Sequence, residues 1–146
     1  MKQCLSAFLG VFLFLSPEWL LDFDKAKQTA QTQHKYILLN FSGSDWCGPC
    51  IRMKQEIFDA EIFKQFTNEH IVLVNADFPR AKKHALSPEQ QKKNDQLADQ
   101  YNQQGVFPLT VLLTAEGKVV KSWEGLPPVS ADEFVKELQS IINVRN

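Results

Sequence analysis

Two cysteines three residues apart, in Trp46-Cys47-Gly48-Pro49-Cys50, stand between two patterns that constrain the local fold. Before them runs Tyr36-Ile37-Leu38-Leu39-Asn40-Phe41, short and almost continuously apolar. A strand with one wet face would alternate, so this run predicts a central strand covered on both faces. Ser42-Gly43-Ser44-Asp45 has the composition of a turn. A helix pattern then opens at the cysteines, with Cys47, Cys50, Ile51, Lys54 and Phe58 on one face.

The flanking sequence repeats this strand-helix alternation. Trp19 to Gln33 reads as an amphipathic helix, with Phe23, Ala26 and Ala30 at helical spacing. Asp59 is placed to cap a further helix that holds Ile62, Phe63 and Phe66. Ile71 to Ala76 is a second buried-type strand, and a polar loop with Pro79 runs from Asp77 to Leu86. Ser87-Pro88-Glu89-Gln90 announces a helix, with Ser87 at the N-cap and Gln90 closing a capping box. Its inner stripe is Asn94, Leu97, Ala98 and Tyr101. Leu109 to Thr114 and Lys118 to Trp123 flank Ala115-Glu116-Gly117 and predict a hairpin. Ser130 and Glu133 form a second capping box before a helix that buries Phe134, Leu138, Ile141 and Ile142. Strands alternating with helices predict an α/β domain whose mixed sheet carries helices on both faces, with the final hairpin as its antiparallel edge.

The chain has 146 residues, enough for one domain and its own core. A net charge of −1 gives no global field toward nucleic acid or an anionic membrane. Residues 1–16 carry Lys2 and then an apolar run from Cys4 to Leu15. That is the layout of a secretory signal. At 12 residues the run is shorter than the roughly 17–25 a membrane span takes. No Ala-x-Ala cleavage site follows, and Pro17 stands beside the expected cut. The alternative is a buried N-terminal strand or a misassigned start.

A thiolate, not a thiol, is the reactive form of cysteine. Cys47 is predicted at a helix N-terminus, where unpaired N–H groups and the macrodipole favour negative charge and pull its pKa down. Cys50, one turn inside, is more shielded. Pro49 fits the first turn without losing a needed hydrogen bond. The spacing lets the two sulfurs close a small ring. Three other readings stay open at this point: a zinc half-site, a purely structural disulfide, and two inert buried thiols. Zinc needs two more ligands, and His34, His70 and His84 lack ligand spacing. A ring this small gains little from loop-closure entropy.

The motif resembles the active site of thioredoxin-fold proteins, and the chain is most similar to small exported members of that superfamily. The resemblance rests on Trp46-Cys47-Gly48-Pro49-Cys50 after a strand, and on Val106-Phe107-Pro108 before another strand. Phe41 to Trp46, Asp77-Phe78-Pro79-Arg80 and Gly117 extend it from roughly Trp19 to the C-terminus. It implies a signal peptide over residues 1–16 and a thioredoxin-like domain over 17–146. Pro108 is then a cis-proline packed against the cysteines. Phe107, Pro108 and Trp46 would bind substrate, and Trp46, Gly48, Pro49, Asp45 and Asn40 would support the site.

Three departures stand out. Asn40 occupies the place of the family's frequent buried acid and cannot take a proton. Leu73 or Val74 replaces the lysine that often accompanies it. Leu109 follows Pro108 where exported relatives often carry Thr. Asp45 belongs to a turn one residue longer than usual, where it is either a water-linked substitute acid or a solvated turn residue. The basic stretch Arg80 to His84, with Lys92 and Lys93, reads as a docking patch for an acidic partner or as a solvated surface.

The function implied is thiol–disulfide oxidoreduction, with Cys47 as nucleophile and Cys50 as resolving residue, reducing disulfides in client proteins. Alternatives are an oxidant or isomerase of exported proteins, or a binding module without redox chemistry. No flavin or nicotinamide motif is present in the sequence. The redox-active disulfide is the only cofactor expected, with no metal, and electrons would come from an upstream dithiol donor protein. The expected compartment is the periplasm or cell envelope, with the cytoplasm as alternative, and the expected state is a monomer.

Overall fold

The computed structural model describes residues 16–145. The expected export signal, residues 1–16, lies outside the described residues apart from Ser16, and so does Cys4. Five strands form one sheet: β1 Trp19–Leu20, β2 Tyr36–Ser42, β3 Ile71–Asp77, β4 Leu109–Leu113 and β5 Val119–Glu124. Their spatial order is β1-β3-β2-β4-β5. The first three are parallel, β4 runs antiparallel to β2, and β5 is antiparallel to β4. The helices are α1 Phe23–Gln33, α2 Gly48–Met53, α3 Glu61–His70, α4 Pro88–Tyr101 and α5 Ala131–Arg145. Among the described residues no helix is long and apolar enough to cross a membrane.

The continuous apolar runs are explained by the two cores they serve. Ile37, Leu39 and Phe41 point to one face of the sheet, with Val72, Val74, Ala26, Ala30 and Leu97. Leu38 and Leu73 point to the other, with Met53, Ile57, Phe63, Phe134, Leu138 and Ile142. Each large apolar side chain fully buried there stabilises the fold by about 1.5–3 kcal/mol before entropy is set against it.

Several local expectations need correction. Trp19–Leu20 is a strand beside β3, not the first turn of a helix. The helix starts later because Asp22 is its N-cap, accepting from the Lys25 N–H at 3.0 Å. Asp59 does not cap α3: its carboxylate pairs with Lys54 Nζ at 2.8 Å, and Ala60 is the N-cap without a side-chain bond. The buried stripe of α2 runs through Cys50, Met53 and Ile57, while Ile51 and Lys54 face outward. Of the face read from the sequence, Cys47, Cys50 and Phe58 are buried. A single π turn, Lys54–Phe58, follows α2 and closes with the Asp59 N–H on the Lys54 carbonyl at 2.8 Å. Ser87 caps α4 as expected, accepting from the Gln90 N–H. The Gln90 side chain does not return to it, because its Nε2 donates to the Leu21 carbonyl and to Asn94 Oδ1. The Ser130–Glu133 capping box forms in full.

Candidate redox site

β2, the central strand, ends at Ser42, and the turn that follows its C-terminal end leads into α2. Gly43 anchors that turn: its carbonyl accepts from the Trp46 and Cys47 N–H groups at 3.3 and 2.9 Å. Cys47 is the N-cap of α2, with its Sγ accepting from the Cys50 N–H at 3.2 Å. Pro49 sits in the first turn, as its missing donor allows. Cys47 and Cys50 are joined as a disulfide, with 5.2 Å between their Cα atoms. Both cysteines are buried, while Gly48 and Pro49 are exposed.

The Phe107–Pro108 peptide bond is cis and leads directly into β4. The Phe107 ring meets the Trp46 indole edge-on at 5.5 Å between centroids, and Phe78 packs on Phe107 at the same distance. Trp46 is held in place by its Nε1–H, which donates to the Phe78 carbonyl at 2.7 Å. Among the described residues no hydrogen bond engages the backbone N–H or carbonyl of Phe107.

Asp45 is not a solvated turn residue: its carboxylate is engaged by the loop after β3. One carboxylate oxygen accepts from the Arg80 N–H and the other from the Ala81 N–H, both at 2.9 Å. His84 Nδ1 lies 3.0 Å from the second oxygen. The two backbone donors first, and His84 after them, bring the Asp45 pKa down to about 2. The residue thus ties the loop after β3 to the active-site turn. That loop returns the contact, with the Arg80 guanidinium stacked 3.7 Å from the Trp46 ring centroid.

Asn40 is buried below α2, and its neighbour across the sheet is Asn75, not Leu73 or Val74. Asn40 Nδ2 donates to Asn75 Oδ1 at 3.1 Å, and Thr110 Oγ1 donates to Asn40 Oδ1 at 3.2 Å. Ser42 Oγ lies 3.1 Å from Asn75 Oδ1 and 3.2 Å from Asp77 Oδ1. A ladder of neutral amides and hydroxyls thus runs across β4, β2 and β3 and ends on the Asp77 carboxylate. It forms part of the wall of a cleft of about 460 Å³, together with Trp19, Phe58 and Cys50. Asn75, Thr110 and Phe78 were not singled out by the sequence as site residues, and Arg80 was singled out only within the basic stretch. One signal for Asn75 was present: each buried strand carries Asn at its fifth position, in Tyr36-Ile-Leu-Leu-Asn40 and Ile71-Val-Leu-Val-Asn75.

A family model described as "thioredoxin-like domain" matches residues 23–142. The chain belongs to the thioredoxin-like family. The disulfide bond reductase DsbH of Chlamydia pneumoniae is 36% identical over 121 residues, 83% of this chain and 70% of that protein. A solved structure of a DsbH oxidoreductase superposes with a TM-score of 0.79 at 33% identity, covering 88% of this chain and 86% of that one. A thioredoxin from Thermus thermophilus shares the fold, with a TM-score of 0.64 at 20% identity over 88% of each chain. This thioredoxin-like protein is a thiol–disulfide oxidoreductase whose redox group is its own cysteine pair. Among the described residues no cluster of three or more His, Cys, Asp or Glu side chains could hold a metal ion.

Proposed function

We propose that the protein reduces disulfides in client proteins of the cell envelope, with Cys47 as nucleophile and Cys50 as resolving residue. The observation that carries this reading is the Cys47–Cys50 pair at the α2 N-terminus, where the Cys50 N–H points at the Cys47 sulfur. In the reduced protein that donor and the helix N-terminus favour a thiolate at Cys47. The thiolate attacks one client sulfur, forming a mixed disulfide and expelling the second client sulfur as a thiolate that takes up a proton. Cys50, on losing its proton, attacks the Cys47 sulfur, so the mixed disulfide breaks and the client leaves as a dithiol. Two electrons pass to the client, and the Cys47–Cys50 disulfide remains. An upstream dithiol donor protein supplies the next electron pair.

Phe107, Pro108 and Trp46 form the client groove. Support comes from the unengaged Phe107 backbone, which an extended peptide can pair with as an added strand. Cis-Pro108 packs against the cysteines, and Gly48 and Pro49 keep the exposed surface of the motif small. Asn40 supports the wall of the cleft it shares with Cys50, through neutral hydrogen bonds to Asn75 and Thr110 and not by taking a proton. Residues 1–16 act as the export signal for a monomeric domain over 17–146. The DsbH relative, named a disulfide bond reductase, supports the reducing direction.

The test is the reduction potential of the pair, read by alkylation in defined thiol buffers. A value near about −270 mV supports a reductase, and one near about −120 mV makes the protein a disulfide donor instead. A Cys50→Ser variant should accumulate a mixed disulfide with clients, and Cys47→Ser should not. If neither variant captures a client, the nucleophile assignment fails.

A further inference from the structure

We propose that Arg80 is a specificity residue that recognises a carboxylate beside the disulfide of a client peptide. The proposal rests on the reductase reading above and names the class of substrate that suits it.

Arg80 does not hang freely from its loop. Its backbone N–H is held by Asp45, and its guanidinium lies flat on the Trp46 ring. Trp46 is itself fixed, by its bond to the Phe78 carbonyl and by the edge of Phe107. The cation is therefore set over the indole of the residue that precedes Cys47, and the same indole meets the Phe107 ring. A stacked guanidinium keeps its N–H edge free for in-plane bonds, and that fork matches a carboxylate.

No carboxylate of the described residues supplies that partner. Arg80 forms no ion pair within 4.0 Å among them. Asp77, the nearest acid in sequence, spends its oxygens on Ser42, Ser44 and the Phe78 N–H, and Asp45 spends both of its own on the Arg80 and Ala81 N–H groups and on His84. The next turn, Lys82–His84, adds Lys82 and Lys83, which are exposed and likewise without an ion pair among the described residues. The chain as a whole carries −1, so this cationic rim is a local feature and not the consequence of a basic protein. A client segment lying along Phe107 runs past this rim. An acidic residue flanking the client cysteine then meets Arg80, whereas a lysine there meets three like charges.

The experiment uses the pre-reduced protein and three peptide disulfides that differ only in one flanking residue: Glu, Gln or Lys. Oxidised glutathione serves as a small disulfide that carries free carboxylates. Single-turnover rate constants are read from thiol release. The Glu peptide should react about three- to tenfold faster than the Gln peptide, and the Lys peptide slowest. The Glu/Gln ratio should shrink as salt is raised. Arg80→Gln should bring the ratio close to one, and Arg80→Lys should restore part of it. Lys82→Gln with Lys83→Gln should leave most of it. A wild-type ratio near one, or a ratio that survives Arg80→Gln, overturns the proposal while leaving the reductase reading intact. So does an Arg80→Gln effect confined to oxidised glutathione, because the carboxylate would then belong to a small molecule. If the wild type reduces none of the disulfides, the reductase reading itself falls.

Discussion

Asn40 on β2 and Asn75 on β3 stand in register, and the Asn40 amide donates to the Asn75 carbonyl oxygen at 3.1 Å. The bond sets a neutral donor–acceptor pair in the wall of the cleft that Cys50 also lines. Thr110, fully buried, completes it from β4.

Asn40→Asp should therefore be costly in a pH-dependent way. A carboxylate at that place faces Asn75 Oδ1 acceptor to acceptor, while the protonated acid can still donate to it. Burial and the lost donor both raise the folded-state pKa of the new group above its unfolded value of about 3.9. Its stability is then closest to the native protein below that value, and falls as pH rises toward the folded pKa. Urea unfolding should show a loss of about 1–3 kcal/mol at pH 7 and little at pH 4. An equal loss at both values would mean that the amide ladder does not control the site.

Asp45 predicts a different pH window. Its pKa is depressed from 3.8 to about 2, so the folded state holds the charged form. The tie it makes to Arg80 and Ala81 is fully present above pH 3.8 and is lost only as pH falls toward 2. Amide exchange at Arg80 and Ala81 should be slow in the native protein at pH 4 and fast in Asp45→Ala. Unchanged exchange in the variant would show that the loop is held by Trp46 stacking alone.

Gly43 is required by space. A Cβ built there would overlap the Trp46 indole. Gly43→Ala should push the ring away, break its bond to the Phe78 carbonyl, and cost about 1–3 kcal/mol. The Trp46 indole N–H resonance reports the bond directly. If it keeps its native shift, the turn has room that the structure does not show.

The fold was legible because β2 and β3 bury both faces, and a double-sided core leaves an unbroken apolar run in the sequence. The cysteine turn was legible because Cys47, Gly48, Pro49 and Cys50 are contiguous. Residues that meet only through tertiary contact were not. Asp45 was read locally, as a turn residue, whereas its partners lie in a loop 35 and 36 residues away. Trp19–Leu20 was read as helix because its strand partner, β3, is far along the chain and a two-residue edge strand carries no period of its own. The face shared by Cys47, Cys50, Ile51, Lys54 and Phe58 did not say which of them are buried, because Cys50 also lies on the face of Met53 and Ile57. Only the sheet beneath selects Met53 and Ile57 over Ile51 and Lys54.

Asn94 was read as part of an inner stripe, and its burial does follow from that stripe, but its role is polar. Its Nδ2 donates to the Asp77 carbonyl at 2.9 Å, and its Oδ1 accepts from Gln90. It thereby fastens α4 to the point where β3 ends and the Arg80 loop departs. Asn94→Ala removes the donor from the Asp77 carbonyl and should lower stability by about 1–3 kcal/mol. The Cys47–Cys50 potential should stay put, because Asn94 bonds to the end of β3 and to no residue of the cysteine turn. A shift of about 30 mV, equivalent to about 1.4 kcal/mol for a two-electron couple, would instead show that the anchoring of α4 is felt at the cysteines.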